Sequence, residues 1–197
     1  MRVIAGSAKG TPLASVPGES TRPITSRVKE ALFDILGEAI EGARMLDLFA
    51  GTGAVGIEAL SRGAREVVFV ERDRRALATL RRNLAATRLA DRAKVVAGDA
   101  FAYVSQPPEE PFDLVYIAPP QHKRLWVRAL QAIDRPGYVS SDGTAIVQIF
   151  PKEDEPVALR CLERTDERKY GSTLLIFFAP KAGQPQACTG AMPAPGR

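Results

Sequence analysis

The stretch that decides the fold reads Met45-Leu-Asp-Leu-Phe-Ala-Gly-Thr-Gly-Ala-Val-Gly56. Its opening apolar run, Met45 to Phe49, predicts a buried strand, and the apolar spacing after the glycines predicts a helix. Between them, Gly51 and Gly53 allow a turn with positive φ and a close approach of the backbone to a ligand. A strand, a glycine turn and a helix in this order are typical of a ligand site at the carboxyl end of a parallel strand.

The rest of the chain repeats this alternation of strand and helix. Strands are predicted at residues 44–49, 66–71, 93–97, 112–117 and 143–150, and helices at about 26–37, 53–62, 73–86, 99–105 and 122–134. Two more strands, predicted at 157–168 and 171–178, would close the sheet as an antiparallel hairpin. The pattern predicts an α/β fold with a mainly parallel sheet covered on both faces.

The two ends of the chain differ from this central region. Residues 1–25 predict a small β-hairpin outside the main core, turning between Gly6 and Gly10, followed by a loop. Residues 26–179 are expected to form the main domain. Residues 180–197 are rich in Pro, Ala and Gly, which predicts a disordered tail.

Composition limits the class of protein. No apolar run approaches the roughly 18 residues of a membrane helix, and the N-terminus has no signal-peptide pattern. Cys161 and Cys188 do not have the spacing of a metal or redox motif, so no metal site is expected. We therefore expect a cytoplasmic protein that makes no contact with a membrane.

Positive charge is concentrated in two regions of a chain whose net charge is +4. One lies near the N-terminus and the other between residues 72 and 94. Clustered basic side chains are typical of a surface that binds a phosphate backbone, although a solvated basic surface is the alternative. The members are Arg2, Lys9, Arg22, Arg27 and Lys29 in the first region, and Arg72, Arg74, Arg75, Arg81, Arg82, Arg88, Arg92 and Lys94 in the second.

Two acidic residues indicate what the glycine turn binds. The turn has the spacing G-x-G-x-x-G, which alone is a weak sign of a nucleotide site. Glu71 ends the next predicted strand, where a carboxylate can hold ribose hydroxyls, and Asp99 ends the third, where it could accept from an adenine amine. The alternative for Asp99 is a helix N-cap, and Asp73 is a candidate for the same role.

Asp47 distinguishes between cofactors. A pyrophosphate at this turn would be repelled by a carboxylate just beneath it, whereas an ammonium or sulfonium group would not. Asp47 therefore favours S-adenosylmethionine over a nicotinamide dinucleotide. A structural carboxylate bonded to the backbone is the alternative interpretation.

These residues resemble a known family, the RsmD-type bacterial 16S rRNA guanine-N2 methyltransferases. The resemblance rests on the glycine stretch from Asp47 to Gly63, on Val67-Val-Phe-Val-Glu-Arg-Asp73, on Met1-Arg-Val-Ile-Ala-Gly-Ser-Ala-Lys-Gly10, and above all on Thr21-Arg-Pro-Ile-Thr-Ser-Arg-Val-Lys-Glu-Ala-Leu-Phe33. It extends from residue 1 to about 178. It implies a Rossmann-like, seven-stranded class I methyltransferase sheet, with the N-terminal hairpin and helix as an extension.

The resemblance also implies roles for individual residues. The methionine part of the cofactor would lie on Asp47, Gly51 and Gly53, its ribose on Glu71, and its adenine near Asp99 and Ala100. Thr21, Phe49 and Arg72 would complete the cofactor site, and Arg2, Lys9, Arg22 and Arg27 would contact RNA. The implied partner is 16S rRNA or an assembly intermediate of the small ribosomal subunit, bound by a monomeric enzyme.

The sequence departs from the family where the chemistry is expected. Relatives place Asn or Asp, two prolines and an aromatic residue after the fourth strand, but this chain has Ala118, Pro119, Pro120 and Gln121. An exocyclic amine is a poor nucleophile, and a hydrogen-bond acceptor on its N–H groups assists methyl transfer. The side chain of Ala118 offers no acceptor.

Three interpretations of this departure are open. The backbone carbonyls of Ala118 and Pro119, aided by the Gln121 amide, could act as acceptors. The target could differ, with Gln121 and His122 arranged for another base, or activity could be lost in a protein that only binds RNA. Retained activity on a guanine amine is the leading hypothesis, and an amine in another nucleic acid or a protein is a further alternative. A dehydrogenase is a distant third class.

Overall fold

A computed structural model of the chain describes residues 1–16, 24–120 and 124–182. Its elements follow one another as α1 (Ser26–Leu36), β1 (Arg44–Asp47), α2 (Ala54–Ser61), β2 (Glu66–Glu71), α3 (Arg74–Thr87), β3 (Ala93–Ala97), α4 (Ala100–Val104), β4 (Phe112–Ile117), α5 (Leu125–Ile133), β5 (Val139–Ile149), β6 (Leu162–Tyr170) and β7 (Thr173–Pro180). The predicted alternation of strands and helices is confirmed.

The seven strands form one sheet in the order β3-β2-β1-β4-β5-β7-β6. The first five are parallel, and β7 pairs antiparallel with both β5 and β6. This confirms the predicted α/β fold and its antiparallel closing hairpin. The strand order reverses between β1 and β4, and a parallel sheet leaves a crevice for ligands at such a point, beyond the carboxyl ends of its strands.

Two strands, β5 and β6, begin four or five residues away from their predicted start, for identifiable reasons. β5 begins at Val139, because Phe112 pairs with Val139 before the register shifts and Leu114 pairs with Thr144. β6 begins at Leu162, five residues later than predicted. The carboxylate of Asp134 accepts the backbone N–H groups of residues 160–162 at 2.5–2.8 Å, so the segment leading into β6 is held by a side chain outside the sheet ladder.

Helix ends follow the sequence signals closely. Thr25 caps α1 through its Oγ1, which accepts the Val28 N–H, and Gly37 ends the helix with a φ of 50°. Asp73 and Asp99 cap α3 and α4, each accepting two backbone N–H groups of the first turn. None of the helices in the described ranges is long and apolar enough to cross a membrane.

The N-terminal segment is part of the core, contrary to the prediction of a hairpin outside it. Val3 and Leu13 are buried in the same cluster as Met45 and Leu80, so the segment packs on the face of the sheet that also carries α1, α2 and α3. The predicted hairpin itself is present, as one antiparallel bridge between Arg2 and Pro12 with backbone hydrogen bonds on both sides of it. Apolar burial, which the short apolar runs did not reveal, fixes this segment in place.

Polar groups on α2 hold the N-terminal segment. The Glu58 carboxylate accepts the backbone N–H groups of Ile4 and Ala5 at 2.8 and 2.9 Å. Ser61 Oγ donates to the Ala5 carbonyl and accepts the Ala8 N–H. The segment is thus fixed to the helix that follows the glycine turn.

Lys29 does not belong to the basic surface to which the charge pattern assigned it. Its side chain is fully buried, and its Nζ lies 2.8 Å from Glu58 Oε2 and 2.9 Å from the Arg2 carbonyl oxygen to which it donates. Burial raises the pKa of Glu58, but hydrogen bonds from Lys29, from Ile4 and from Arg62 outweigh that effect and leave the pKa below its ordinary value.

The substitution Lys29→Met tests this network. It leaves the Glu58 carboxylate buried without its principal cation, so the free energy of unfolding should fall by about 3–5 kcal/mol. Urea unfolding at neutral pH measures the change. Lys9→Met, at an exposed position of the N-terminal segment, is the control. It should lower the free energy of unfolding by less than about 0.5 kcal/mol. Equal stabilities of the two variants would contradict the assigned role of Lys29.

Candidate cofactor and substrate site

The glycine turn leads from β1 into α2, and its three glycines serve different purposes. Gly51 and Gly53 have φ values of 53° and 81°, the left-handed region that favours glycine. A Cβ on Gly53 would lie 2.2 Å from Leu80, and one on Gly56 would lie 2.3 Å from the Phe69 ring. These two glycines therefore allow close packing. A Cβ on Gly51 would meet nothing within 4 Å, so space above this residue is open to a ligand.

Glu71 lies beside the turn, where the sequence predicts it. Its Oε2 accepts the Gly51 N–H at 2.8 Å, and its Oε1 accepts the N–H groups of Arg72 and Asp73. These three bonds fix the carboxylate at the carboxyl end of β2. An oxygen that accepts one bond can accept another, so Oε2 remains able to bind a hydroxyl.

The candidate adenine end of the site lies at the carboxyl end of β3. Asp99 uses Oδ1 to cap α4, while its Oδ2 lies 3.8 Å from Nη1 of the exposed Arg72. Both roles proposed for Asp99 are thus compatible, because each uses a different oxygen. Ala100 is buried next to it, and Phe49 packs edge-on against Phe101 with ring centroids 6.1 Å apart.

Asp47 is buried directly beneath the turn. Its Oδ2 accepts the Gly56 N–H at 3.2 Å, which is the backbone contact that the sequence left as an alternative. Its Oδ1 is buried and has no hydrogen-bond partner among the described residues. Desolvation by burial raises the pKa of Asp47 to about 7. The Gly56 hydrogen bond lowers this pKa, and the negative charge of Glu71 raises it by a smaller amount. A carboxylate oxygen held in this way fits a cationic ligand.

The other side of the crevice is formed by β4 and β5. Ala118 and Pro119 are partly buried and Pro120 is exposed just beyond the end of β4. Tyr116 lies opposite Asp47 in the register of β4 and β1, and its hydroxyl donates to Gln148 Oε1 at 2.5 Å. Sequence analysis missed both Tyr116 and Gln148, because strand residues of this kind match no motif. Trp126 is buried, and its indole N–H donates to the Glu153 carbonyl.

Asn83 connects the N-terminal segment to the glycine turn, and sequence analysis missed it too. Its Oδ1 accepts the Ala14 N–H at 2.8 Å, and its Nδ2 donates to the carbonyls of Ala14 and Thr52. The side chain is buried within α3. An Asn within an amphipathic helix is usually solvated, so only the fold reveals this role.

Only some of the predicted RNA-contacting residues lie within the described ranges. Arg2, Lys9 and Arg27 are exposed on or beside the N-terminal segment. Arg22, Thr21 and the catalytic candidate Gln121 with its neighbour His122 lie outside the described residues, as does most of the predicted tail. Pro180, where that tail was expected to begin, instead ends β7.

The second basic region is a row of arginines on α3. Arg74, Arg81 and Arg88 are spaced seven residues apart and exposed, so they follow one line along the helix and its C-cap. Arg92, counted in the same region, instead donates to the Ala64 carbonyl at 3.0 Å.

Together, the sheet order, the glycine turn and the acidic strand ends define a Rossmann-like fold of the class I methyltransferase type. Solved structures agree with this class: "Putative methyltransferase yhhF from Escherichia coli" superposes with a TM-score of 0.82 at 30% identity, over 92% of this chain and 98% of that one.

The family follows from the sequence comparisons. The model of the family described as "Conserved hypothetical protein 95" matches residues 1–179, and the chain belongs to this family, which is of the RsmD type. The chain is 38% identical to "Putative rRNA methyltransferase YlbH" of Bacillus subtilis over 90% of its own length and 98% of that protein. It is 33% identical to "Ribosomal RNA small subunit methyltransferase D" of Haemophilus influenzae, over 80% and 81% of the two chains.

The substitution Asp47→Asn tests the buried carboxylate in the ligand-free protein. The pKa of Asp47 is about 7 in the folded protein, and its ordinary value is 3.8. At a pH between these two values the carboxyl group is protonated in the folded state and ionised in the unfolded state. Wild-type stability should therefore fall as the pH rises through this window and stay low above it. Asp47→Asn lacks this cost and should exceed the wild type at about pH 8 by a few kcal/mol, a gap that closes towards about pH 4.

Urea unfolding across this pH range measures the gap, and Asp142→Asn, at an exposed position of β5, controls for general charge effects. A gap independent of pH would contradict the burial of an ionisable Asp47.

Proposed function

We propose that this chain is an S-adenosylmethionine-dependent methyltransferase that modifies the exocyclic N2 amine of a guanine in 16S rRNA. The substrate would be the RNA itself or an assembly intermediate of the small subunit, bound by a cytoplasmic monomer. The observation that carries the proposal is the buried, unpartnered Oδ1 of Asp47 beneath the glycine turn, in a chain whose relatives include proteins named ribosomal RNA small subunit methyltransferase D.

The residues around the turn offer a binding partner to each part of the proposed cofactor. Its α-ammonium group would satisfy Asp47 Oδ1, whereas a pyrophosphate in the same place would be repelled. Its ribose would bind Glu71 Oε2, and its adenine amine would donate to Asp99 Oδ2. Bound there, the cofactor supplies an electrophilic methyl group. The open space above Gly51 is consistent with a ligand passing over the turn.

The basic surfaces support an RNA substrate. The row on α3 and the exposed Arg2, Lys9 and Arg27 present cationic side chains, and the sequence comparisons lead to relatives whose names refer to rRNA. Phosphate contacts position a nucleic acid without reading its sequence. A base extruded from the RNA can then reach the residues that follow β4.

The chain retains groups that can accept hydrogen bonds from the target amine despite Ala118. The carbonyls of Ala118 and Pro119 follow β4 at the crevice, and backbone carbonyls are strong acceptors. They would localise the amine lone pair as the methyl group is transferred, and the released proton can pass to water. No titratable base is required.

Ala118 also favours a second candidate, a protein of the same fold that binds RNA without methylating it. Small subunits from a strain lacking this protein, incubated with the purified chain and methyl-labelled cofactor, separate the two. The enzyme should incorporate label as N2-methylguanosine, detected by nucleoside mass spectrometry, and Asp47→Ala should abolish it. RNA binding without incorporation by the wild-type protein would establish the second candidate instead.

A pair of ligands tests the role assigned to Asp47 in the site. S-adenosylhomocysteine carries the α-ammonium group, and 5′-methylthioadenosine lacks the amino-acid part. Asp47→Asn should weaken the first ligand by about 10- to 100-fold, the effect of losing a charge-assisted hydrogen bond, and leave the second within about twofold. Isothermal titration calorimetry measures both. Equal weakening of the two ligands would contradict a contact between Asp47 and the ammonium group.

A further inference from the structure

β5 supplies a polar side chain one register step beyond the last pair that it forms with β4. The last registered pair between β4 and β5 is Ile117 with Val147, so the next residues along the two chains are Ala118, just beyond β4, and Gln148 in β5. Tyr116 and Ile146 are buried in the same core cluster, and Ala118 packs against it. Gln148 lies on that face as well, since it receives the Tyr116 hydrogen bond.

Tyr116 holds the Gln148 amide in place while leaving it able to bind a ligand. The hydroxyl of Tyr116 is buried, and its donation to Oε1 at 2.5 Å uses one of the two lone pairs of that oxygen. Gln148 is only partly buried, and its Nε2 has no hydrogen-bond partner among the described residues. Three of the four hydrogen bonds that the amide can make are therefore unused among the described residues.

The position of this amide suits the substrate rather than the cofactor. The cofactor candidates Glu71 and Asp99 end β2 and β3, on one side of the point where the strand order reverses. Gln148 is near the end of β5, on the other side, where Ala118 and the two prolines follow β4. The registered pair of Asp47 and Tyr116 lies between the two halves of the site.

We propose that Gln148 contacts the target guanine, with Oε1 accepting an N–H from the edge of the base that carries N1 and the N2 amine. This inference rests on the proposed function and identifies the side chain that reads the base. A guanine presents two neighbouring donors on this edge, whereas an adenine presents an acceptor beside its amine. An oxygen acceptor held by Tyr116 can therefore bind either donor of guanine. It also supplies a side-chain acceptor that Ala118 does not.

The test compares Gln148→Met with Gln148→Glu. Met has a similar length but cannot accept a strong hydrogen bond, whereas Glu retains oxygen acceptors. On unmethylated small subunits, Gln148→Met should lower kcat/KM by about 10- to 100-fold, and Gln148→Glu should stay within about fivefold of the wild type. The Kd for S-adenosylhomocysteine should stay within about twofold in both variants, because the cofactor half of the site is untouched.

Tyr116→Phe provides a second variant that removes only the hydroxyl holding the amide. It should lower kcat/KM by about three- to tenfold, again without a change in cofactor affinity. If Gln148→Met does not fold, as judged by thermal unfolding, Tyr116→Phe and Gln148→Glu decide the matter. Wild-type kinetics in Gln148→Met, or in Tyr116→Phe if the Met variant is unfolded, would overturn the role of Gln148. An inactive wild-type protein would instead overturn the proposed function itself.

Discussion

The buried carboxylate of Asp47 is the constraint on which the rest of the site depends. It ends β1, accepts the N–H of Gly56 and so joins the first strand to the helix that follows the turn. Its second oxygen has no partner among the described residues, and burial of the side chain raises the pKa of Asp47 to about 7. A folded chain keeps such a cost where function requires it. A ligand that brings a positive charge would remove this cost, so Asp47 carries more information about the proposed cofactor than the glycines do.

The same face of the sheet connects this centre to the N-terminal segment. Glu58 and Ser61 fix that segment to α2, Lys29 neutralises Glu58, and Asn83 bridges from Ala14 to Thr52 in the turn. The exposed Arg2 and Lys9 are therefore carried by a segment attached to the glycine turn. The side chains proposed to face RNA and the turn proposed to bind the cofactor are parts of one packed unit.

Sequence reasoning succeeded where a pattern has a local physical cause. The glycine turn with positive φ, the N-caps at Asp73 and Asp99, and the alternation of strands and helices all follow from short-range rules. It failed where partners come together only in the fold. Lys29 looked like a surface cation because Glu58, 29 residues further along the chain, cannot be inferred from its spacing. Gln148 escaped notice for the same reason, since Tyr116 meets it only across two paired strands.

The central claim is that a cation of the cofactor pairs with Asp47, and the carboxyl carbon of Asp47 reports on it directly by carbon-detected NMR titration. In the free protein the titration should have its midpoint at about pH 7. With saturating S-adenosylmethionine, the ammonium group should stabilise the carboxylate and move the midpoint down by about two units or more. A midpoint that stays in place or rises when the cofactor binds would contradict the account.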